Sequence, residues 1–334
     1  MMKSRSIVST GNLLESGLDP EVDMFIRRMG TGWASHPPLD SLPVEEARAV
    51  AEAVRAPWTI GGPAMATTIE QSIPLDGKPV RIRILNPGPK EQVKPALVYL
   101  HGGGWTIFSI DTHDRLMREY AGRADICVIG VDYSLSPEVR YPRALDETVA
   151  VIRWLRENHA ACGIDPSRIA VGGDSAGANL ALSAAIRLRD TGEPDAAAAL
   201  LLNYGAFDTA CDSASYRRFG GPGYMLGGQE MADFWKNYLG DGPALPDPLA
   251  APLHAELTGL PPALLCVPDC DVLYDENLAM DAHLAAAGVD VDTIVYEGAS
   301  HSFLEAASIS SLADRALSDS AAWLRYRLSP RAPA

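Results

Sequence analysis

Short apolar runs alternate with amphipathic stretches along the chain from residue 66 onward. The apolar runs lack the in–out alternation of a half-buried strand, which is typical of strands that helices cover on both faces. This order predicts an α/β fold whose central sheet is mostly parallel and built from right-handed crossovers. The predicted strands are 69–73, 80–85, 96–100, 126–131, 168–172, 198–203, 263–267 and 291–296, and the predicted helices among them are 112–123, 142–159, 176–189, 275–287 and 312–326.

The first two predicted strands are separated by a short turn at 76–78, Asp-Gly-Lys. Because so short a connection joins antiparallel strands, these two should form a hairpin. We expect the hairpin at one edge of the sheet.

Two segments contain no predicted strand. Residues 1–60 carry helical patterns at 19–29 and 43–54, and residues 203–261 carry a glycine-rich stretch and a helical pattern at 230–239. We expect both segments to cap the sheet. The predicted division is 1–60 as the first part of the cap, 61–204 as the first part of the core, 205–245 as the cap insertion, and 246–334 as the second part of the core.

The charge balance limits the class of partner. Net charge is −15, from 28 basic and 43 acidic residues, which argues against binding to nucleic acid or to anionic membranes. No apolar run reaches the ~18 residues of a membrane-spanning helix, and no apolar stretch follows the basic N-terminus. We therefore expect a cytoplasmic protein.

The five cysteines do not indicate a disulfide framework, because their number is odd and the chain is long. Cys266 and Cys270 have a spacing found in metal sites, but no second Cys/His pair lies near them in the chain. We expect free thiols, no metal and no cofactor.

The pentapeptide 173–177, Gly-Asp-Ser-Ala-Gly, lies between a predicted strand and a predicted helix. A serine in this context sits on a sharp turn that lifts its hydroxyl above the sheet, and small flanking residues let the backbones approach. The helix N-terminus beside it favours negative charge. This context favours Ser175 as a nucleophile over a turn that merely caps a helix.

A second glycine-rich motif, His-Gly-Gly-Gly-Trp at 101–105, follows the predicted strand 96–100. Acyl transfer needs N–H donors where negative charge develops, and glycines expose such donors. We expect the N–H groups of Gly103, Gly104 and Ala176 to form an oxyanion hole. Phosphate binding is the alternative, but the Gly-Lys-Ser/Thr of a phosphate loop is missing. We interpret His101 as holding this loop through hydrogen bonds rather than as a base.

A serine nucleophile needs a base, and three histidines follow Ser175 in the chain. His283 lies inside a predicted helix. His254 lies on the insertion side of the predicted strand 263–267, before that strand begins. His301 comes just after the strand 291–296, at the strand end where open parallel sheets place ligands and catalytic groups. We expect His301 to be the base.

The acid that orients this histidine is expected after the strand 263–267, where three aspartates lie. Asp275 starts a predicted helix and is interpreted as its N-cap. The residues alone favour Asp271 over Asp269 but leave both open. The task of the acid is to fix the imidazole tautomer and to stabilise the imidazolium.

These motifs resemble the hormone-sensitive-lipase-like family of microbial esterases, which have the α/β-hydrolase fold. The resemblance spans nearly all of the chain from residue 66, and it includes the motifs at 101–105 and 173–179, Tyr-Ser-Leu-Ser-Pro-Glu at 133–138, Asp-Val-Leu-Tyr-Asp at 271–275 and His-Ser-Phe at 301–303. The acid of the family is the first Asp of its D-x-L-x-D motif, which implies Asp271. The resemblance also implies a helical cap and a homodimer formed through the last strand and helix.

The chain departs from the family pattern at Phe108, where members usually carry glycine, and at 134–136, where Ser-Leu-Ser replaces Arg-Leu-Ala. Phe108 adds bulk close to the oxyanion loop, so the substrate preferences of the family do not transfer directly. The candidate substrate-binding side chains are aromatic, and core packing is the alternative for each of them. They are Trp105, Phe108, Tyr204 and Phe207, with Tyr224 and Trp235 as further candidates.

The predicted function is hydrolysis of small carboxylic esters through an acyl-enzyme on Ser175, His301 and Asp271. The resemblance implies short to medium acyl chains, and no membrane-binding amphipathic anchor is evident. Amide or carbamate hydrolysis, including deacetylation, is an alternative on the same triad. A non-catalytic small-molecule receptor is another, since the plant gibberellin receptors resemble this family. Those receptors lack the catalytic histidine, so His301 favours an enzyme.

Overall fold

A computed structural model describes residues 5–75, 78–89, 92–240 and 247–330. The predicted turn at 76–78 therefore lies largely outside the described residues. The strands are β1 Ser6–Val8, β2 Thr67–Ile73, β3 Val80–Asn86, β4 Lys94–Leu100, β5 Cys127–Asp132, β6 Ile164–Asp174, β7 Ala199–Asn203, β8 Ala263–Cys270 and β9 Val291–Ser300. The helices are α1 Pro20–Ala34, α2 Val44–Arg55, α3 Asp114–Ala124, α4 Arg143–Glu157, α5 His159–Cys162, α6 Ala176–Asp190, α7 Ala214–Phe219, α8 Gly228–Leu239, α9 Tyr274–Ala286 and α10 Ser311–Arg327.

The strands form one sheet in the order β1-β9-β8-β7-β6-β4-β5-β3-β2. In this order, every pair of neighbouring strands up to the pair of β4 and β5 runs parallel. The remaining strand pairs are antiparallel, since β3 runs antiparallel to both β5 and β2. The predicted parallel sheet and the hairpin at its edge are confirmed.

Helices cover both faces of this sheet. Every residue of β7 is buried, and so are the first five of β5. Because successive side chains of a strand point to opposite faces, this burial requires cover on each side. α3 packs against α10, and α4 packs against α6. No helix in the described part of the chain has both the length and the apolar character that crossing a membrane requires.

The N-terminal segment contains a strand, so the prediction that the first sixty residues hold none is wrong. Ser6–Val8 pairs in parallel with β9, with Ile7 opposite Val295. Three residues are too few to show a periodic pattern, and the Ile7 side chain points to solvent. The strand is therefore set by backbone pairing along the edge of β9, which sequence hydrophobicity does not reveal.

Helices α1 and α2 lie over the carboxyl end of the sheet. Asp19 caps α1, because its Oδ1 accepts hydrogen bonds from the N–H groups of Glu21 and Val22. The Asp19 N–H also donates to the carbonyl of Gly298 in β9, at 2.9 Å. On α2, Arg48 donates from Nε to the Thr106 carbonyl at 2.8 Å. These hydrogen bonds hold the N-terminal segment to the last residues of β9 and to the loop after β4.

The chain between β7 and β8 contains α7 and α8 and no strand among its described residues. α7 contacts both α8 and α9. The absence of a predicted strand in this segment is confirmed for 204–240 and 247–262, and residues 241–246 lie outside the described part. The division into cap and core remains a prediction.

The connection from β6 to α6 passes very close to the end of β4. A methyl group at Gly177 would overlap the backbone carbonyls of Leu100 and His101, and one at Gly173 would overlap the Leu100 carbonyl and the Gly177 backbone. Backbone atoms cannot move aside as a flexible side chain can, so only glycine fits at these positions. The small residues predicted at 173 and 177 are confirmed in this role.

Gly177→Ala should therefore destabilise the protein by about 3 kcal/mol or more, since overpacking against backbone has no cheap relaxation. Gly30→Ala is the matched control, because Gly30 lies exposed in α1 with no atom near its added methyl group. Alanine there should be neutral or stabilising by up to about 1 kcal/mol. Urea unfolding of both variants measures the difference, and equal effects would contradict the packing argument.

Candidate active site

Ser175 lies between β6 and α6 in a strained conformation. Its φ is 55° and its ψ is −120°, a region that residues with a Cβ rarely occupy. The turn is held by a hydrogen bond from the Ser175 N–H to the Asn203 carbonyl, at 2.9 Å. This geometry lifts the hydroxyl above the end of the sheet, next to the first turn of α6.

His301 and Asp271 meet Ser175 at the carboxyl ends of three strands. His301 directly follows β9, and Asp271 directly follows β8. The Nε2 atom of His301 lies 3.0 Å from Oγ of Ser175, and its Nδ1 atom lies 2.7 Å from Oδ2 of Asp271. All three side chains are buried. A histidine that donates from Nδ1 to a carboxylate presents Nε2 as an acceptor, here toward the serine hydroxyl.

The other residues considered as base or acid have different partners. His254 is paired with Asp208, at 2.9 Å, and Nδ1 of His283 lies 3.1 Å from a backbone carbonyl. Asp269 accepts a hydrogen bond from the Gly298 N–H at 2.8 Å. Of the two aspartates that the residues left open, the structure brings Asp271 into contact with His301.

Asp275 does not cap α9, so that prediction is wrong. The helix begins at Tyr274, one residue earlier than the sequence suggested, and the N-cap position falls on Leu273. The Asp275 carboxylate instead accepts a hydrogen bond from the Ser215 N–H, at 2.8 Å. It therefore ties α9 to the start of α7 in the insertion.

Two glycines after β4 face Ser175 across a small cavity. Gly103 and Gly104 have positive φ values of 109° and 56°. A side chain at Gly104 would overlap the Phe234 ring, and one at Gly103 would overlap the Ile107 carbonyl. Among the described residues, no acceptor takes a hydrogen bond from either N–H. Ala176 opens α6, where the first N–H groups have no acceptor within the helix. All three N–H groups are therefore free to bind an anion.

His101 is buried beneath this loop as a neutral side chain. Its ring stacks on Tyr133, with centroids 4.3 Å apart, and its Nδ1 lies 2.7 Å from the Gly102 carbonyl. Burial, with a smaller effect from His113, lowers the pKa of His101 to about 3. These contacts agree with a role in holding the loop.

A buried charged cluster lies behind Ser175. Asp174 accepts hydrogen bonds from the Tyr99 hydroxyl at 2.8 Å and the Gly102 N–H at 3.1 Å. Its second oxygen lies 3.4 Å from Nε2 of His113. Burial alone would raise the pKa of Asp174, but His113, the Tyr99 hydroxyl and His101 together outweigh burial and hold that pKa below its usual value. The cluster joins the loop after β4 to the turn that carries Ser175.

Three groups in this cluster have the donor types of a metal site. Ligand atoms of His113, Asp174 and Glu305 lie within 4.8 Å of one another. Each is already paired within the protein, however, since His113 contacts Asp174 and Glu305 forms an ion pair with Arg55. At the other position considered for a metal, burial raises the pKa of the Cys266 and Cys270 thiols, which disfavours the thiolate that binds metals.

The cavity beside Ser175 and His301 has a volume of about 50 Å³. Its walls come from both segments that the sequence assigned to a cap. Trp33 and Arg55 come from α1 and α2, and Glu230 and Phe234 come from α8. Phe108, from the loop after β4, completes the enclosure.

Of the four candidate substrate-binding aromatics, only Phe108 lines this cavity. Trp105, Tyr204 and Phe207 are instead fully buried in the core and do not line the cavity. Trp105 stacks on Tyr238 with centroids 4.2 Å apart. The Tyr204 ring packs edge-on against the His301 ring, with centroids 5.0 Å apart. Core and cavity aromatics have the same sequence signature, so the sequence could not separate them.

The two further aromatic candidates also lie off the cavity wall. Trp235 packs against Trp105, with centroids 4.5 Å apart. The Tyr224 hydroxyl donates to the Ser16 carbonyl at 3.0 Å. The side chains that sequence reasoning missed are Trp33, Arg55, Ile107, Met225, Leu226, Glu230, Phe234 and Ser302. In the sequence, these residues stood out only because they lie in the predicted cap segments or within or next to the motifs at 101–105 and 301–303.

Phe108 occupies a backbone conformation that favours glycine. Its φ is 71°. Glycine adopts such a conformation without steric cost, which accounts for the glycine that the hormone-sensitive-lipase-like family usually carries at this position. The guanidinium carbon of Arg55 lies 4.6 Å from the centre of the Phe108 ring. This cation–π contact offsets part of the backbone strain.

Comparison with known proteins places the chain in a family. A sequence model described as "alpha/beta hydrolase fold" matches residues 97–305. The ethyl acetate hydrolase of Pseudomonas putida is 33% identical over 308 residues, which cover 90% of this chain and 96% of that protein. The acetyl esterase of Salmonella paratyphi A is 35% identical over 277 residues, covering 82% and 84%.

Solved structures agree. An ester hydrolase from the metagenome of Lake Arreo is 32% identical, with a TM-score of 0.87, over 94% of this chain and all of that one. A thermostable esterase from Pseudomonas putida is 31% identical, with a TM-score of 0.88, over 94% and 99%.

The chain belongs to the hormone-sensitive-lipase-like esterases of the α/β-hydrolase fold. It is therefore a serine hydrolase of carboxylic ester bonds, and the alternative of a non-catalytic receptor is overturned. The predicted fold class and family resemblance are both confirmed.

The buried neutral His101 should make stability sensitive to acid. Its pKa falls from 6.5 in the unfolded chain to about 3 in the folded protein, so the unfolded state binds the extra proton between these values. Stability is then lost as the pH falls from about 6.5 towards 3. Between pH 7.5 and pH 5 the loss from this group is about 2 kcal/mol.

Urea unfolding of the wild type and of His101→Asn at both pH values measures this contribution. The variant should lose about 2 kcal/mol less between the two pH values, even if it is less stable at each of them. Equal losses would show that His101 does not carry the acid sensitivity.

Proposed function

We propose that this esterase hydrolyses esters of short- to medium-chain acids through an acyl-enzyme on Ser175. The observation that carries the proposal is the hydrogen-bonded chain from Ser175 through His301 to Asp271, with distances of 3.0 and 2.7 Å. This chain opens on the cavity, which Ser175 and His301 both line. It supplies a nucleophile, a base and an orienting acid in one place.

In the proposed first step, Oγ of Ser175 attacks the ester carbonyl carbon while Nε2 of His301 takes its proton. The imidazolium is stabilised by Asp271, which stays ionised. The carbonyl oxygen becomes an oxyanion, and the N–H groups of Gly103, Gly104 and Ala176 donate to it. Because these donors are already fixed by the loop and by α6, they need no reorganisation in the transition state.

The tetrahedral intermediate then expels the alcohol, which receives the proton from His301. Water enters, gives a proton to His301 and attacks the acyl-enzyme. Collapse of the second intermediate returns the proton to Ser175 and releases the acid. The steps use only the side chains and N–H groups already described.

The size of the cavity supports small acyl groups. A volume of about 50 Å³ has room for a small group and not for a long chain. Phe108 and Phe234 line this space with bulky rings. The names of the relatives, acetyl esterase and ethyl acetate hydrolase, point the same way.

We also propose that 1–60 and 205–245 act together as a cap over this site. The support is that Trp33 and Arg55 from the first segment, and Glu230 and Phe234 from the second, line the cavity. The cytoplasmic location and the homodimer remain predictions from the sequence and the resemblance.

Ser175→Ala should lower kcat for p-nitrophenyl acetate by at least about 10³-fold, because the nucleophile is removed. Asp271→Asn should lower it by about 10² to 10⁴-fold, since the histidine tautomer is no longer fixed. Steady-state kinetics with circular dichroism as a check on folding measures both. Near-wild-type turnover by Ser175→Ala would contradict the mechanism.

Asp269→Asn is the matched control for the acid. Its side chain keeps an oxygen that can accept from Gly298, so kcat should stay within about threefold of wild type. A loss at Asp269 as large as that at Asp271 would mean that the acid has been assigned to the wrong aspartate.

A series of p-nitrophenyl esters tests the acyl preference. We expect kcat/KM for the acetate and butyrate to exceed that for the palmitate by about tenfold or more, since the cavity must open to admit a long chain. Detergent-dispersed substrates keep the palmitate accessible. Full activity on the palmitate with none on the butyrate would refute the preference.

A further inference from the structure

Arg55 is a buried cation on the wall of the proposed active-site cavity. It is the last residue of α2, and its side chain is only 5% exposed. It lines the same cavity as Ser175 and His301. Burial of a guanidinium costs free energy unless its charge and its N–H groups are matched, so its surroundings determine what it can bind.

The charge of Arg55 is matched, but its N–H groups are not. Nη1 forms an ion pair with Oε2 of Glu305, which is buried as well. The face of the guanidinium lies over the Phe108 ring at 4.6 Å. Apart from this ion pair, Nη1 and Nε are buried with no hydrogen-bond partner among the described residues. Nη2 is not among these enclosed atoms, and Arg55 lines the cavity, so the two N–H donors of Nη2 remain for a ligand there.

The carboxylates around the cavity limit the charge of that ligand. Glu305 already neutralises Arg55, and Glu230 lies on the cavity wall as well. Burial raises the pKa of Glu230, because the surroundings of this carboxyl disfavour negative charge. An anionic ligand would meet two carboxyl groups and one guanidinium. An uncharged oxygen acceptor would meet donors without this repulsion.

We propose that Arg55 is a specificity determinant that donates a hydrogen bond to a second, uncharged carbonyl oxygen of the ester substrate. The preferred substrates are then keto esters or diesters in which this oxygen lies in the acyl or the alcohol part. The inference rests on the proposed function, because it assigns a substrate class to the same site.

Two matched substrate pairs test the inference. Ethyl 3-oxobutanoate is compared with ethyl butanoate, and 2-oxopropyl acetate with propyl acetate. Each pair differs only by a ketone oxygen in place of two hydrogens. The kcat/KM ratio within a pair is measured for wild type and for Arg55→Met/Glu305→Gln. The double variant removes both charges, because either one left alone would be buried without its partner.

We expect the keto preference in at least one pair to fall by roughly tenfold or more in the double variant, which is the value of a hydrogen bond to a charged donor. The intrinsic reactivity of the keto esters cancels, since it is the same for both proteins. Arg55→Lys, which keeps a charge opposite Glu305 but loses the planar fork, should change the ratio in the same direction. It serves if the double variant does not fold.

Arg48→Met is the matched control. Arg48 lies on the same helix and also pairs with a carboxylate, but it donates to Thr106, Ser136 and Glu138 and does not line the cavity. Its removal should leave the keto preference as in wild type, whatever happens to the rate itself.

The inference is overturned if both ratios are the same in wild type and in the folded Arg55 variants, or if Arg48→Met changes them equally. It is also overturned if monoethyl succinate is preferred over ethyl pentanoate by tenfold, since the site would then bind an anion. If wild type cleaves ethyl butanoate but the kcat/KM ratios do not depend on Arg55, only this inference fails. If wild type cleaves none of the esters, the proposed function fails with it.

Discussion

The close approach of backbones between the end of β4 and the turn from β6 to α6 is the constraint on which the site depends. Gly173 and Gly177 let this turn pass against the Leu100 carbonyl. The chain then reverses within one residue, and Ser175 is left with a φ of 55°. A wider turn would lower the hydroxyl toward the sheet and away from His301. Packing of the core thus fixes the position of the Ser175 hydroxyl.

The same constraint connects the site to buried charges. Asp174 precedes Ser175, and its carboxylate accepts a hydrogen bond from the Gly102 N–H at 3.1 Å. One carboxylate therefore joins the turn to the glycine loop after β4. His113 balances that carboxylate, and Glu305, which is close to both, balances Arg55 on the cavity wall. A change in either pair therefore acts on the geometry of the loop as well as on local charge.

The sequence predicted what depends on local pattern and strand ends. The sheet, the hairpin and the order of helices followed from periodicity, and Ser175 and His301 followed from their positions after predicted strands. The residues alone favoured Asp271, but the family motif was needed to decide, because Asp269 follows the same predicted strand. Edge strand β1 was missed because its pairing is a matter of backbone, not of side-chain pattern. The cavity aromatics were mostly missed because long-range packing decides whether Trp105 or Phe234 faces the site.

The central claim is that Ser175 is a nucleophile activated by His301, and covalent labelling tests it most directly. The protein is treated with a fluorophosphonate, and the labelled peptide is identified by mass spectrometry. We expect one adduct, on Ser175, which forms in step with the loss of esterase activity and forms far more slowly in His301→Ala. Full inactivation with the adduct on another residue, or labelling of Ser175 at the same rate without His301, would contradict it.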